Sequence, residues 1–182
     1  PSRGNIKYYL KECSNNVRNY YVKLLSDDTV SVAIRLATRD SKPSNAVVYR
    51  TYGRSTGLNP NRQNTSEDIS INEGIPRYLA DQDFKGVLMY NNIEEAARIG
   101  AFKKTRNEEK YKEEVVSMMV APLNSWSVTK QKMIGIIYVT SRKNNAFSVK
   151  HVDSMRFMAD LVAQSIASIV HLNNVQPSRR KK

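Results

Sequence analysis

Two pairs of short apolar runs, each joined by a polar stretch, constrain this chain more than any other feature. Val30, Val32, Ile34 and Leu36 alternate with Ser31, Ala33 and Arg35. A period of two puts the first set on one face of a β-strand and the second on the other. The run Ala46–Tyr52 (AVVYRTY) is β-branched and aromatic, and the polar turn at 39–45 separates it from the first run. The two read as an antiparallel hairpin. Later, Val115–Leu123 and Lys132–Thr140 are apolar runs joined by the polar segment Asn124–Lys130, a second hairpin. Four strands are therefore expected, near 29–37, 45–52, 115–123 and 132–140.

Amphipathic segments flank the hairpins. Over 4–26, Ile6, Tyr9, Leu10, Cys13, Val17, Tyr20, Tyr21 and Leu24 recur at steps of three and four, the spacing of a helix face. Over 149–172, Val152, Met155, Ala159, Val162, Ile166, Ile169 and Val170 form a similar stripe, with Ser148 placed to cap it. Between the hairpins, 53–74 is rich in Gly, Asn, Ser and Thr, 72–82 reads as a short helix, 86–90 as a short strand, and 94–114 as a charge-dense excursion. The expected fold is α+β: a mainly antiparallel central sheet, the terminal helices on one face, and the irregular segment 53–114 on the other. One domain would occupy 1–172, and 173–182 would be a disordered basic tail.

Composition narrows the chemistry. Of 182 residues 40% are apolar and 25% charged, a globular balance. One cysteine, Cys13, excludes an intrachain disulfide and a cysteine-rich zinc site, and favours a reducing, cytoplasmic setting. The only two histidines, His151 and His171, lie far apart on one expected helix, which argues against a histidine metal site or a catalytic triad. Neither Gly-rich phosphate-loop spacing occurs. No apolar run approaches the length of a membrane span. Nothing in the sequence names a cofactor.

The net charge of +12 points to acidic partners. Arg179, Arg180, Lys181 and Lys182 are its one compact cluster, and weak, non-specific nucleic-acid binding through them is expected. The other cations are dispersed. A nucleic-acid or anionic-surface protein is one alternative function on these grounds.

Several apolar motifs resemble those of GAF domains. Val115–Leu123 ends in Pro122-Leu123, as one of that family's strands does. Ile134-Gly135-Ile136-Ile137 resembles its following strand. Ala146-Phe147-Ser148 leading to Leu161-Val162-Ala163-Gln164 resembles its C-terminal helix. Segment 53–114 matches the family poorly, and a PAS or profilin-like sandwich has a similar outline. The motifs themselves need only structural roles: Pro122 ends a strand, Gly135 permits close packing, Phe147 fills the core.

The resemblance implies a sensory or regulatory domain that binds a small ligand or a protein partner and signals through its terminal helices. The paired cysteines of the methionine-sulfoxide-reducing members and the cyclic-nucleotide motif are both missing, and Cys13 is misplaced for a chromophore-binding cysteine, so no enzyme is expected. A pocket between the sheet and 53–114 would draw on Tyr49, Arg77, Tyr78, Tyr90, Ser117, Met119 and Trp126. Phe157, Leu161 and Leu172 line a second face of the last helix, and a homodimer through the terminal helices is expected from them. A dimerisation module with a degenerate pocket is the remaining alternative.

Overall fold

In the computed structural model, residues 3–39, 46–58, 61, 66–80, 86–111, 114–126 and 131–175 are described. The basic cluster Arg179–Lys182 lies outside them. Helix α1 (Arg3–Leu25) leads into strands β1 (Ser31–Arg39) and β2 (Val47–Arg54). The middle of the chain supplies β3 (Ile69–Ser70), α2 (Gly74–Ala80), β4 (Leu88–Tyr90), α3 (Ile93–Arg98) and α4 (Arg106–Lys110). Then come β5 (Ser117–Trp126), β6 (Gln131–Ser141), a single 3-10 turn (Val149–His151) and α5 (Val152–Val175).

The strands form one six-stranded sheet in the order β3-β2-β1-β6-β5-β4, antiparallel at every junction. Both expected hairpins are present, and β1 pairs with β6 to join them at the centre. The period-two pattern sorts side chains as expected. Val32, Ile34 and Leu36 of β1, with Ile137 and Val139 of β6 and Met119, Ala121 and Leu123 of β5, pack against α1 and α5. Their neighbours Ile136, Tyr138, Met118 and Val120 point to the opposite face, where Ile75, Leu79, Ile93, Ala96 and Phe102 cover them.

The helix-side core is closed by Leu10, Val17 and Tyr21 of α1 and by Met155, Ala159, Val162 and Ile166 of α5. Phe147 plugs its end, 2% exposed. Tyr21 donates to or accepts from Ser154 at 3.0 Å, so α1 and α5 lie side by side. Asp27, after α1, is buried at the end of β6. Burial would raise its carboxyl pKa, but hydrogen bonds from Ser141 and Thr29, with Lys143 nearby, outweigh that and hold it low.

Several expectations shift. Three of the four long strands begin two residues later than expected, and α5 runs on to Val175, past the expected start of the tail. Pro122 does not end its strand. It pairs with Ile136 in the middle of β5, where β4, reaching only as far as Val120, has already stopped. A proline lacking an N–H is tolerated on an edge that needs no donor. Tyr20, Leu24 and Val170, assigned to buried stripes, are exposed, because the sheet is covered by a narrower arc of each helix. The middle segment also contributes two strands, β3 and β4, to the sheet. Among the described residues no helix is long and apolar enough to cross a membrane.

Candidate functional site

The sheet face opposite α1 and α5 carries the candidate site. Its middle is apolar, but β1 sends Arg35 and β6 sends Tyr138 into it, and at one end Ser31 and Thr140 hydrogen-bond to each other at 2.7 Å. Arg35 sits between Ala33 and Ala37 on β1, and Tyr138 between Ile136 and Thr140 on β6. Small neighbours leave room for the long arginine. Its guanidinium stands 5.8 Å from the Tyr138 ring centroid, and Nη1 donates to the carbonyls of Glu67 at 2.6 Å and Tyr49 at 3.4 Å. Arg35 thus ties the segment before β3 to the sheet.

Above Tyr138 the covering elements stop short of one another. A cavity of about 350 Å³ remains between β3–α2 on one side and the segment from Phe102 to Glu108 on the other. Ile75, Pro76 and Phe102 give it an apolar wall, and Glu67, Lys104, Thr105 and Tyr138 supply polar groups. A smaller pocket of about 60 Å³ lies on the other side of Tyr138, beside Arg35. The larger space is of the order that small-molecule sites occupy.

Charge is distributed unevenly around the cavity. Lys103 and Arg106 stand at its rim, their side chains 73% and 92% exposed. Lys103 lies 3.5 Å from Glu73, and Arg106 lies 3.7 Å from Oε1 of Glu67. Lys104, only 16% exposed, pairs with Glu94. Asp68 is taken by Arg50. Two buried polar atoms here have no hydrogen-bond partner, Glu67 Oε2 and the Tyr138 hydroxyl. Burial pushes the Tyr138 phenol well above its usual pKa, against the pull of Arg35.

None of the described side chains expected from the sequence to bind a ligand borders this cavity. Tyr49 is buried beside it in the same apolar cluster, its phenol pushed by burial to about 12. Tyr90 stacks at a tilt on Phe102, ring centroids 5.3 Å apart, and its pKa is raised by burial. Arg77 and Tyr78 sit on the solvent side of α2, because Ile75, Pro76 and Leu79 take its inner side. Ser117 is buried and donates to the carbonyl of Lys143 at 2.7 Å. Met119 packs on the helix side of the sheet, one alternation out of register with the cavity. Trp126 ends β5, and its side chain lies outside the described residues.

Sequence reasoning missed Arg35, Glu67, Phe102 and Tyr138. A signal existed for two of them. Arg35 and Tyr138 are the large polar residues that alternate with the apolar Ile34 and Leu36 of β1 and Ile137 and Val139 of β6. Glu67 and Phe102 come from irregular backbone with no period to place them.

On the helix side, α1 and α5 present an outer seam. Ser154 meets Tyr21, and steps of three and four from Ser154 lead to Phe157, Leu161 and Ser165 on the same flank. Tyr9 reaches Ser165 from α1, and steps of four and seven lead from Tyr9 to Cys13, Tyr20 and Leu24. Phe157 is 60% exposed and Leu161 49%. Leu172 continues the line, its side chain outside the described residues. Cys13 is half-buried on this seam, away from the cavity, and burial raises its thiol pKa.

No family model and no curated protein matches the chain. Solved structures do. It is similar to the type II free methionine-R-sulfoxide reductase from Thermoplasma acidophilum, with a TM-score of 0.59 at 13% identity over 90% of this chain and 95% of that one. It is similar to the GAF domain of the Acinetobacter phosphoenolpyruvate-protein phosphotransferase, with a TM-score of 0.55 at 16% identity over 87% and 82%. It is also similar to the GAF domain of the cyanobacteriochrome TePixJ, with a TM-score of 0.59 at 13% identity over 91% of each. The chain has a GAF-like α+β fold. The same fold carries a cyanobacteriochrome GAF domain and an enzyme, so fold alone leaves the role to the site.

Proposed function

We propose that this chain is a non-enzymatic sensory or regulatory domain whose cavity above Tyr138 takes a small molecule. The supporting observation is the cavity itself: about 350 Å³, apolar on one wall, with two buried polar atoms that nothing among the described residues satisfies. Native proteins rarely leave such atoms unpaired, because each costs roughly 1–3 kcal/mol. A bound molecule would satisfy them. The chain's one thiol is remote and half-buried, and two-thiol chemistry is outside its means.

A ligand clamped between α2 and the Phe102–Glu108 segment would alter how they rest on the sheet. The signal would pass through β1 and β6 to α1 and α5 on the other face. Their outer seam, with Tyr20, Leu24, Phe157 and Leu161 exposed, is the surface on which a second copy of the chain would sit.

A thermal-shift screen with nucleotides, amino acids and haem tests the cavity. A ligand at about 100 times its Kd should raise the melting temperature by about 5–10 °C. Ser70→Trp, which fills the cavity from β3, should abolish that shift. Shifts that survive the substitution would mean that the compounds bind elsewhere.

A further inference from the structure

We infer that the ligand of this cavity carries a protonated amine on an apolar body, and that Glu67 and Tyr138 receive the amine. The inference rests on the reading of the cavity as a ligand site and names the chemistry of its occupant.

The starting point is what the interior lacks. Tyr138 is 7% exposed, rises from the sheet into the cavity, and its hydroxyl has no partner. A phenol hydroxyl both donates and accepts, so it tolerates several ligand groups. Glu67 is more selective. Its Oε2 is buried and unpartnered, and a carboxylate oxygen only accepts. Its other oxygen has Arg106 at 3.7 Å, a loose contact to a side chain that is 92% exposed. Arg35 is close to Glu67 but spends Nη1 on backbone carbonyls, one of them Glu67's own.

Among the described residues, the other two cations lining the cavity are engaged elsewhere, Lys104 with Glu94 and Lys103 with Glu73. An inward-facing acceptor is thus left for the ligand. A charged donor gives a hydrogen bond about twice as strong as a neutral one. Although the Glu67 side chain as a whole is 38% exposed, its Oε2 is shut off from water. An ammonium group suits such a carboxylate oxygen better than a hydroxyl does, and Glu67 would repel a ligand carboxylate. Ile75 and Phe102 then take an aliphatic or aromatic body. The +12 net charge sharpens the test, because the protein at large repels a cation. Amine binding would report the local site and not general attraction.

Three probes of matched size separate the possibilities: 2-phenylethylamine, 2-phenylethanol and 3-phenylpropionate, each titrated calorimetrically at pH 7. The amine should bind at least tenfold more tightly than the other two. Glu67→Gln should remove that preference. Tyr138→Phe should weaken the amine severalfold while leaving the melting temperature of the free protein unchanged or higher, since the hydroxyl it deletes has no partner to lose. Equal or tighter binding of the alcohol or the acid, or an amine preference retained in Glu67→Gln, would overturn the inference. If the alcohol or acid binds and Ser70→Trp blocks it, the cavity reading still stands. If the amine binds wild type and Ser70→Trp equally, both readings fall. No amine binding to wild type overturns the inference alone.

Discussion

His151 closes the turn before α5 with an imidazole where a carboxylate or amide is more common. The Ser148 N–H donates to its Nδ1 at 3.0 Å, and the His151 N–H donates to the Ser148 carbonyl at 2.9 Å, so the two residues bond in both directions across the first turn. The ring nitrogen must be unprotonated to accept. Burial lowers the His151 pKa below 6.5, and Lys150 beside it acts in the same direction. The folded state therefore binds fewer protons than the unfolded state near pH 6. The stability that the neutral ring contributes is complete above pH 6.5 and is lost as pH falls through the lowered folded pKa. Urea unfolding between pH 7.5 and pH 5 should show a larger loss for wild type than for His151→Gln, whose amide caps without titrating. An equal loss in both proteins would remove His151 from the account. At this scale the sequence was informative wherever a periodic element held the residue. Ser148 as a cap and Phe147 as core were legible. Glu67 was not, because no pattern reveals which oxygen of an irregular segment is buried.

At the scale of elements, close approach of backbone fixes how α1 seats on the sheet. A Cβ on Gly53 would lie 2.5 Å from the Leu10 carbonyl oxygen and 2.7 Å from its carbon. Helix backbone cannot swing aside as a side chain end can. Gly53→Ala should therefore push α1 off β2 and cost about 1–3 kcal/mol, the range of overpacked cores, measured by denaturant unfolding. A loss under about 0.5 kcal/mol, within the range of ordinary surface changes, would mean that α1 reseats freely. The glycine's neighbours in sequence gave no hint of this contact, because it joins residues far apart in the chain. The long strands and both terminal helices were legible from period alone. The short edge strands β3 and β4 are too brief to show a period, and Pro122 was misread because the sequence does not tell that its edge of β5 is bare.

Across the whole molecule, two forces act on self-association in opposite directions. The seam of Tyr20, Leu24, Phe157 and Leu161 exposes apolar area on adjacent helices, and its burial favours association. The +12 charge on each copy opposes it. If a second copy covers the seam, the solution mass should approach twice the 20.7 kDa of the chain. Repulsion is screened by salt, with the Debye length shrinking to about 3 Å at 1 M, whereas apolar burial is not weakened by it. Light scattering should therefore show dimer increasing between about 50 and 500 mM salt, the reverse of association driven by ion pairs. Leu161→Glu places a charge at the centre of the seam without touching the core, since Leu161 is 49% exposed. It should return the protein to a single-chain mass at every salt concentration while leaving its melting temperature, measured at a dilution where wild type is also monomeric, within about 2 °C, as a surface substitution should. A wild-type mass of one chain at high salt would overturn the dimer, and a dimer that Leu161→Glu leaves intact would move the interface away from α1 and α5.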